Sequence, residues 1–383
     1  MPLPLPLPLP LPLPLPLPLP LPFMDRLRAR AGRLLEAGVE PSAIGRAAAS
    51  LWEIAAARGV RRPLDLPEGL RVVGVGGAVL GGAGKSPVAV AIARELARRG
   101  ERAALVSHAY RASPGSPRRV RRTDDPREVG DDALASARLL DADGVPVIVG
   151  PSRRAALDFA IEGGASIAVV DGLLQAAPAP LTDSILVLDA IAPWGSRRCP
   201  PLGDLRASPE ALLLAADHVA VVTPAVSPSS APGLPQGSIH LPSSLAGAFD
   251  AAGRPVDLAA LKGQTVGLIV AVARPERIRR ALAVHGIDPA VVLELADHAA
   301  LTPADRDRAR SSALASARRL DHQHRARCPR PPEIWLTTAR CATKLPPELW
   351  GAPVLALDHR VEVGPLLCRL RAASSFRTPP PVC

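Results

Sequence analysis

Seven residues, Gly81-Gly82-Ala83-Gly84-Lys85-Ser86-Pro87, constrain this chain more than any other stretch. They follow the apolar run Arg71–Val75 and precede a helix-like run, Val88–Arg99. A strand, a glycine turn and a helix in that order make a phosphate cradle. The glycines let backbone N–H groups approach phosphate oxygens, and the helix N-terminus adds favourable partial charge. Lys85 can neutralise β/γ-phosphates, and Ser86 can place a hydroxyl on Mg²⁺. Among 46 Lys and Arg residues only Lys85, Lys262 and Lys344 are lysines. A lysine inside the glycine turn therefore indicates that a compact ammonium is wanted there rather than a guanidinium. The competing reading is a glycine loop that only turns the chain. The general pattern G-x-x-x-x-G-K-[ST] wants a glycine at position 79, where Val79 stands. Leu80 occupies the position where a deviant class of ATPases carries a lysine, which argues against the partitioning and arsenical-pump type.

Composition bounds the rest. A length of 383 residues suffices for two domains. The balance of 48% hydrophobic and 21% charged residues is that of a globular protein, but with 2% aromatics the core must be built from Ala, Val, Leu and Ile. A formal charge of +10 favours anionic partners such as nucleotide or anionic lipid. Nucleic acid is not expected, because no aromatic-interleaved basic patch and no Cys/His finger spacing is present. The cysteines Cys199, Cys328, Cys341, Cys368 and Cys383 are scattered without a CxxC pair, which fits a reducing compartment. Residues 2–22 alternate Pro and Leu. Proline at every second position removes the donors a membrane helix must satisfy internally, so an extended tail is expected rather than a span or a signal peptide. A translation start at Met24 is an equal reading.

Two amphipathic helices are expected next, over Met24–Gly38 and Ala43–Arg58, the first with a face of Arg26, Arg28, Arg30 and Arg33. Such helices either lie on an anionic membrane or pack on the domain with a solvated face. From Leu70 onward β and α patterns alternate, which predicts an α/β fold: a P-loop NTPase-like, mostly parallel sheet flanked by helices. Residues 224–243, rich in Pro and Ser, read as a linker, and a second, smaller α/β series follows from Thr265. The expected division is a Pro-Leu tail (1–23), basic N-terminal helices (24–62), a nucleotide-binding domain (63–223), a linker (224–262), a second α/β domain (263–367) and a tail (368–383). A cleft between the two domains is the expected ligand site.

Phosphoryl transfer needs charge neutralisation, Mg²⁺ ligands and an acceptor for the hydroxyl proton. Asp171 ends the apolar run Ile167–Val170, where a parallel sheet presents residues at its ligand-binding edge; it is a candidate Mg²⁺ ligand, or a helix cap. Asp131 and Asp132 open a helical run, Ala133–Leu140, and could simply cap it. Asp297-His298 follows the strand-like Val291–Leu295, and His298 beside a carboxylate would suit proton transfer at neutral pH. The stretch Asp321-His322-Gln323-His324 lacks a third ligand at workable spacing and is not read as a metal site.

Taken in order, these pieces resemble the tetraacyldisaccharide 4'-kinases of lipid A biosynthesis, from about Ala43 to Val363. The loop Gly81–Pro87 is similar to the family's Gly-Gly-Thr-Gly-Lys-Thr-Pro, including the trailing proline. Ser107-His108-Ala109-Tyr110 resembles its Ser-Arg-Gly-Tyr, Gly130-Asp131-Asp132 its Gly-Asp-Glu, and Asp171-Gly172-Leu173-Leu174-Gln175 its Asp-Asp-Gly-Phe-Gln-His. Arg153, Pro193-Trp194-Gly195, Gly203-Asp204-Leu205-Arg206, Ala273-Arg274-Pro275-Glu276-Arg277, Asp297-His298 and Thr337-Thr338 complete the set. The chain departs from the family at His108, Gly172, Ala176 and Ala339-Arg340-Cys341.

The resemblance implies MgATP-dependent transfer of a γ-phosphoryl group to the 4'-hydroxyl of a lipid A disaccharide precursor. It implies that Gly81, Gly82, Ala83, Gly84, Lys85 and Ser86 bind ATP. Asp131 and His298 would form the catalytic pair, and Ser86, Asp132 and Asp171 would lie at Mg²⁺. A pair drawn from two domains would assemble by domain closure. A peripheral place on the anionic cytoplasmic face of the inner membrane of a Gram-negative bacterium would follow, served by the basic N-terminal helices. The departures motivate two alternatives: a nucleotide-binding relative impaired in catalysis, or a kinase for a different lipid or sugar.

Overall fold

The run Arg71–Gly77 carries valine and glycine on both faces, a pattern suited to a strand covered from two sides. The computed structural model describes residues 43–60, 64–109, 112–174, 182–224, 233–295, 301 and 331–370. In it this run is β1 (Arg71–Gly77), buried from Val72 onward. It pairs in parallel with β5 (Ile167–Asp171) on one side and β6 (Asp183–Asp189) on the other. Beyond β5 lie β2 (Ala103–Val106), β4 (Val147–Val149) and the short antiparallel β3 (Arg118–Arg119); beyond β6 lies β7 (His218–Pro224). Successive residues face opposite layers, as the two-residue period requires. Val73, Leu105 and Val169 join a core with α2 (Lys85–Arg98) and α4 (Asp131–Leu140). Val72, Ala104 and Ala168 join another with Leu157 of α5 (Arg153–Glu162). Two short helices, α3 (Pro126–Val129) and α6 (Pro209–Leu214), cap the periphery. The N-terminal helix α1 (Ala43–Gly59) packs Trp52 and Ala56 beside Trp194 and Leu212.

Helix α2 begins at Lys85, earlier than the helical run read from sequence. Pro87 is tolerated there because the first-turn N–H groups have no intrahelical partner to lose. Buried residues occupy the α2 interior without interruption from Val88 to Ala93. From Val88 to Ala93 the helix is buried all round, which its run of small and branched side chains permits.

A second parallel set follows: β10 (Val266–Val270), β11 (Val291–Glu294), β12 (Ile334–Thr338) and β14 (Ala352–Val361), with helix α7 (Pro275–Val284) and the short α8 (Ala339–Ala342). The stretch read as a linker, 224–262, is a point of difference. It holds the long strand β8 (Ile239–Phe249), the two-residue β9 (Pro255–Val256) and a 3-10 turn, Leu258–Leu261. Burial alternates along β8, with Ile239, Leu241 and Leu245 inside and His240, Pro242 and Ser244 outside. Pro and Ser on the outer face hid that alternation from composition, and partners on both sides supply the backbone bonds that propensity did not promise.

Strand β8 joins the two sets. It is parallel to β7, with Pro224 opposite Ser243, and antiparallel to β14, with Val361 opposite Ser243. The C-terminal ends of β7 and β14 therefore arrive at one residue, and the carboxyl edges of both parallel sets face one cleft. That edge is where open α/β sheets hold ligands. The short β13 (Glu348–Leu349) pairs with β14, and α9 (Gly364–Leu367) sends Leu366 and Leu367 back into the core around α2. The helical run read over Met24–Gly38 lies outside the described residues.

Candidate nucleotide site at the facing sheet edges

The glycine turn between β1 and α2 depends on its glycines. Gly84 sits at φ +85° as the N-cap of α2, and a Cβ there would lie 3.2 Å from Val222. Gly82 is also left-handed, at φ +71°. No side chain caps α2, and its first turn carries no acid. Its leading N–H groups therefore open into the cleft, where an anion would satisfy them. Gly81, Gly82, Ala83, Gly84, Lys85 and Ser86 all line this cleft, whose volume is about 480 Å³.

Lys85 Nζ lies 3.2 Å from Ser86 Oγ and 3.3 Å from Asp171 Oδ1. Burial works against the ammonium, but the nearby carboxylates of Asp171 and Asp132 outweigh it and raise its pKa above the ordinary lysine value. Lys85 thus stays charged where phosphate would sit. Asp171 is buried at the end of β5, the position that its place after an apolar run predicted.

Asp131 and Asp132 are not caps. Gly130 is the N-cap of α4, and the two aspartates are its first helical residues. Asp131 is buried; its Oδ1 accepts the Asp132 N–H at 3.0 Å, and its Oδ2 pairs with the Lys344 ammonium. Asp132 has Arg340 at 3.9 Å. Burial raises the Asp132 pKa, while the Arg340 and Lys85 cations act in the opposite direction. His108, beyond the end of β2, has its pKa lowered by burial and by the cations Arg153 and Lys85. Its imidazole is neutral at pH 7.

A Mg²⁺ ion fits this donor set. Among the described residues no group of three His, Cys, Asp or Glu converges as an all-protein cage. Magnesium does not need one, since it is held by one or two carboxylates, water and the phosphates of its ligand. Ser86, Asp132 and Asp171 offer a hydroxyl and two oxygen-only acids beside the cradle. His298 lies outside the described residues.

The structure adds residues that the sequence reading did not single out for chemistry. Asp189 ends β6 on the other flank of β1; it is buried, and its Oδ2 lies 3.1 Å from Arg274 Nη1. Arg277 of α7 also pairs with Asp189 and donates to the carbonyl oxygen of Gly82. Burial lowers the Arg277 pKa to about 10. The signal for Asp189 was present, because it follows the apolar run Ile185–Leu188 as Asp171 follows its own. Arg340 and Lys344 arrive from α8 and the residues after it, and the scarcity argument that singled out Lys85 applied equally to Lys344.

A second cavity, about 410 Å³, opens between α1 and the outer side of the P-loop. Trp52, Val60, Leu80 and Leu173 make its apolar wall, and Arg153 and Arg206 line it with charge. Helix α1 is held there by Trp52 Nε1, which donates to the Arg206 carbonyl at 3.3 Å.

Residues 40–321 match the family model described as LpxK, tetraacyldisaccharide-1-P 4'-kinase. The tetraacyldisaccharide 4'-kinase of Chromobacterium violaceum is 34% identical over 236 residues, covering 61% of this chain and 68% of the relative. That of Anaeromyxobacter dehalogenans is 33% identical over 267 residues, covering 65% and 69%. Among solved structures, an "apo" form of LpxK from Aquifex aeolicus in complex with ATP superposes with a TM-score of 0.56 at 20% identity. It covers 89% of this chain and 93% of the other, a likeness of fold.

Proposed function

This chain belongs to the tetraacyldisaccharide-1-P 4'-kinase family, and from that premise we propose its reaction: transfer of the ATP γ-phosphoryl group to the 4'-hydroxyl of tetraacyldisaccharide 1-phosphate. The family makes the chain an ATP-dependent kinase of lipid A biosynthesis. One observation carries the assignment of its parts. Lys85, charged and paired to Asp171, shares a cleft with Asp132 at the start of α4, and Asp131 lies buried beside Asp132.

Phosphoryl transfer is mostly positioning and charge neutralisation. The backbone N–H groups of the glycine turn hold the phosphates, and Lys85 neutralises the β- and γ-oxygens. Ser86, Asp132 and Asp171 would hold Mg²⁺, which would supply positive charge to offset that of the phosphates. Asp131, with His298, accepts the proton of the attacking hydroxyl. Burial supports this role for Asp131, because an anion excluded from water meets the hydroxyl without first shedding a hydration shell. On this reading the 63–223 domain presents the nucleotide and the 263–367 domain completes the cleft.

The acceptor is a lipid, and α1 supports its capture from a surface. Ile44, Leu51 and Ile54 are exposed on that helix, while Trp52 and Ala56 turn inward toward the second cavity. No helix among the described residues is long and apolar enough to cross a membrane. The exposed apolar residues of α1 and the chain's +10 charge, which favours anionic headgroups, support a peripheral place on the cytoplasmic face of the inner membrane of a Gram-negative bacterium.

The test is label transfer from [γ-³²P]ATP to tetraacyldisaccharide 1-phosphate in detergent with Mg²⁺, with Lys85→Ala and Asp131→Ala as controls. Label on the lipid from the wild type alone supports the reading. Nucleotide binding without transfer would instead identify an impaired relative. Transfer to other lipids or sugars only would identify a different acceptor.

A further inference from the structure

Arg340 and Lys344 stand four residues apart, and each meets one of the two adjacent carboxylates that open α4. Arg340 faces Asp132 at 3.9 Å, and Lys344 pairs with Oδ2 of Asp131. The segment carrying them is fixed in place. Thr338 Oγ1 caps α8 through the Cys341 N–H at 3.2 Å, and Arg340 Nη2 donates to the Ala271 carbonyl at 2.9 Å. Thr343 Oγ1 donates to the Arg340 carbonyl at 2.7 Å. The Ala271 N–H also reaches Cys341 Sγ at 3.3 Å. The Lys344 ammonium is thus delivered by a rigid support to a carboxylate that is itself buried.

The residue type is informative. In a chain that uses arginine almost everywhere, this carboxylate is met by one of the few lysines, as Asp171 is met by Lys85. A guanidinium grips both oxygens of a carboxylate in parallel, whereas an ammonium is a point charge that engages one. At Asp131 the two oxygens have separate partners: Oδ1 takes the Asp132 N–H, and Oδ2 takes Lys344. Rotation of the carboxylate is stopped from both sides.

We propose that Lys344 is a positioning residue for the transfer reaction, holding the Asp131 carboxylate by one oxygen in the orientation that receives the acceptor hydroxyl. The inference rests on the kinase reading above. Lys344 touches neither nucleotide nor acceptor on this account and acts only through Asp131.

The experiment measures kcat, acceptor KM and binding of a fluorescent ATP analogue for wild type, Lys344→Met, Lys344→Arg, Asp131→Asn and the Asp131→Asn/Lys344→Met double variant. Misplacement of a reacting group costs kcat, so Lys344→Met is expected to lose about 10²-fold in kcat with KM and nucleotide affinity within about twofold. Lys344→Arg, which keeps the charge but takes both oxygens, is expected to lose about tenfold. In the Asp131→Asn background, Lys344→Met is expected to change kcat by less than about twofold, because residues acting as a unit are not additive. Wild-type kcat in either Lys344 variant overturns the inference, as does an equal loss in the Asp131→Asn background or a parallel loss of nucleotide binding. Wild-type protein that binds nucleotide but moves no label defeats the kinase reading and this inference with it. Active wild type with unaffected variants defeats this inference alone.

Discussion

Arg277 of α7 pairs with Asp189 at the end of β6, so a cation from one parallel set is neutralised by an acid from the other. The same guanidinium donates to the Gly82 carbonyl, and Arg274 shares the carboxylate at 3.1 Å. The phosphate turn is thereby tied to a helix on the far side of the cleft. Replacing Asp189 by Asn takes the shared carboxylate from two neighbouring guanidiniums, and Arg274 keeps only Asp204 at 3.5 Å. Breaking a buried pair from one side costs about 3–5 kcal/mol. Asp189→Asn is expected to show a loss of this order in urea unfolding, together with weaker nucleotide binding. Wild-type stability would show that Asp189 is dispensable to the cleft.

Lys85 is the cation proposed to neutralise phosphate at the glycine turn. Removing one preorganised donor to developing charge costs about 10²–10³-fold in rate. Lys85→Met is expected to lose phosphoryl transfer by about that factor while remaining folded by circular dichroism. A rate within an order of magnitude of wild type would remove Lys85 from its assigned role.

Gly84 and Gly100 separate backbone strain from site chemistry. Both are left-handed, at φ +85° and +83°, but a Cβ on Gly100 meets nothing within 4 Å whereas one on Gly84 meets Val222. A left-handed non-glycine residue costs about 1–2 kcal/mol. Alanine at either position should lower the melting temperature. Only Gly84→Ala should also weaken binding of a fluorescent ATP analogue, since its N–H lies in the cradle. Equal nucleotide affinity for the two variants would contradict the cradle geometry.

His359 on the cleft wall gives a pH signature. Burial lowers its pKa from 6.5; the Asp358 carboxylate opposes the shift and Arg277 adds to it. Between the lowered value and 6.5 the unfolded chain binds more protons than the folded one. Stability therefore rises with pH across that window and is lost as pH falls through it. His108 contributes with the same sign. The wild-type melting temperature should fall between pH 7 and pH 5, and His359→Gln should flatten part of that fall. Parallel curves for the two proteins would assign the acid sensitivity elsewhere.

Much of the nucleotide half was legible because local signals agreed there. β1, its glycine turn and α2 each follow from period, φ requirement and helix chemistry within one short stretch, and Asp171 follows from standing after an apolar run. β8 was not legible, since its outward positions hold Pro and Ser and its stability comes from β7 and β14, which are far away in sequence. The pairs Lys344–Asp131 and Arg277–Asp189 were illegible for the same reason: each joins residues whose proximity is decided only when both sheets are assembled. Lysine scarcity was the one local clue to the first of them.

Ser243, flanked by the last residues of β7 and β14, means that the two halves share a backbone ribbon instead of a free joint. A slip of one residue along that ribbon would turn Leu241 and Leu245 out of the core, so its register is locked. Movement between the halves must then twist this ribbon, not swing about a single bond. The distance from the phosphate turn to the carboxylates of α4 is set when the chain folds, before any ligand arrives.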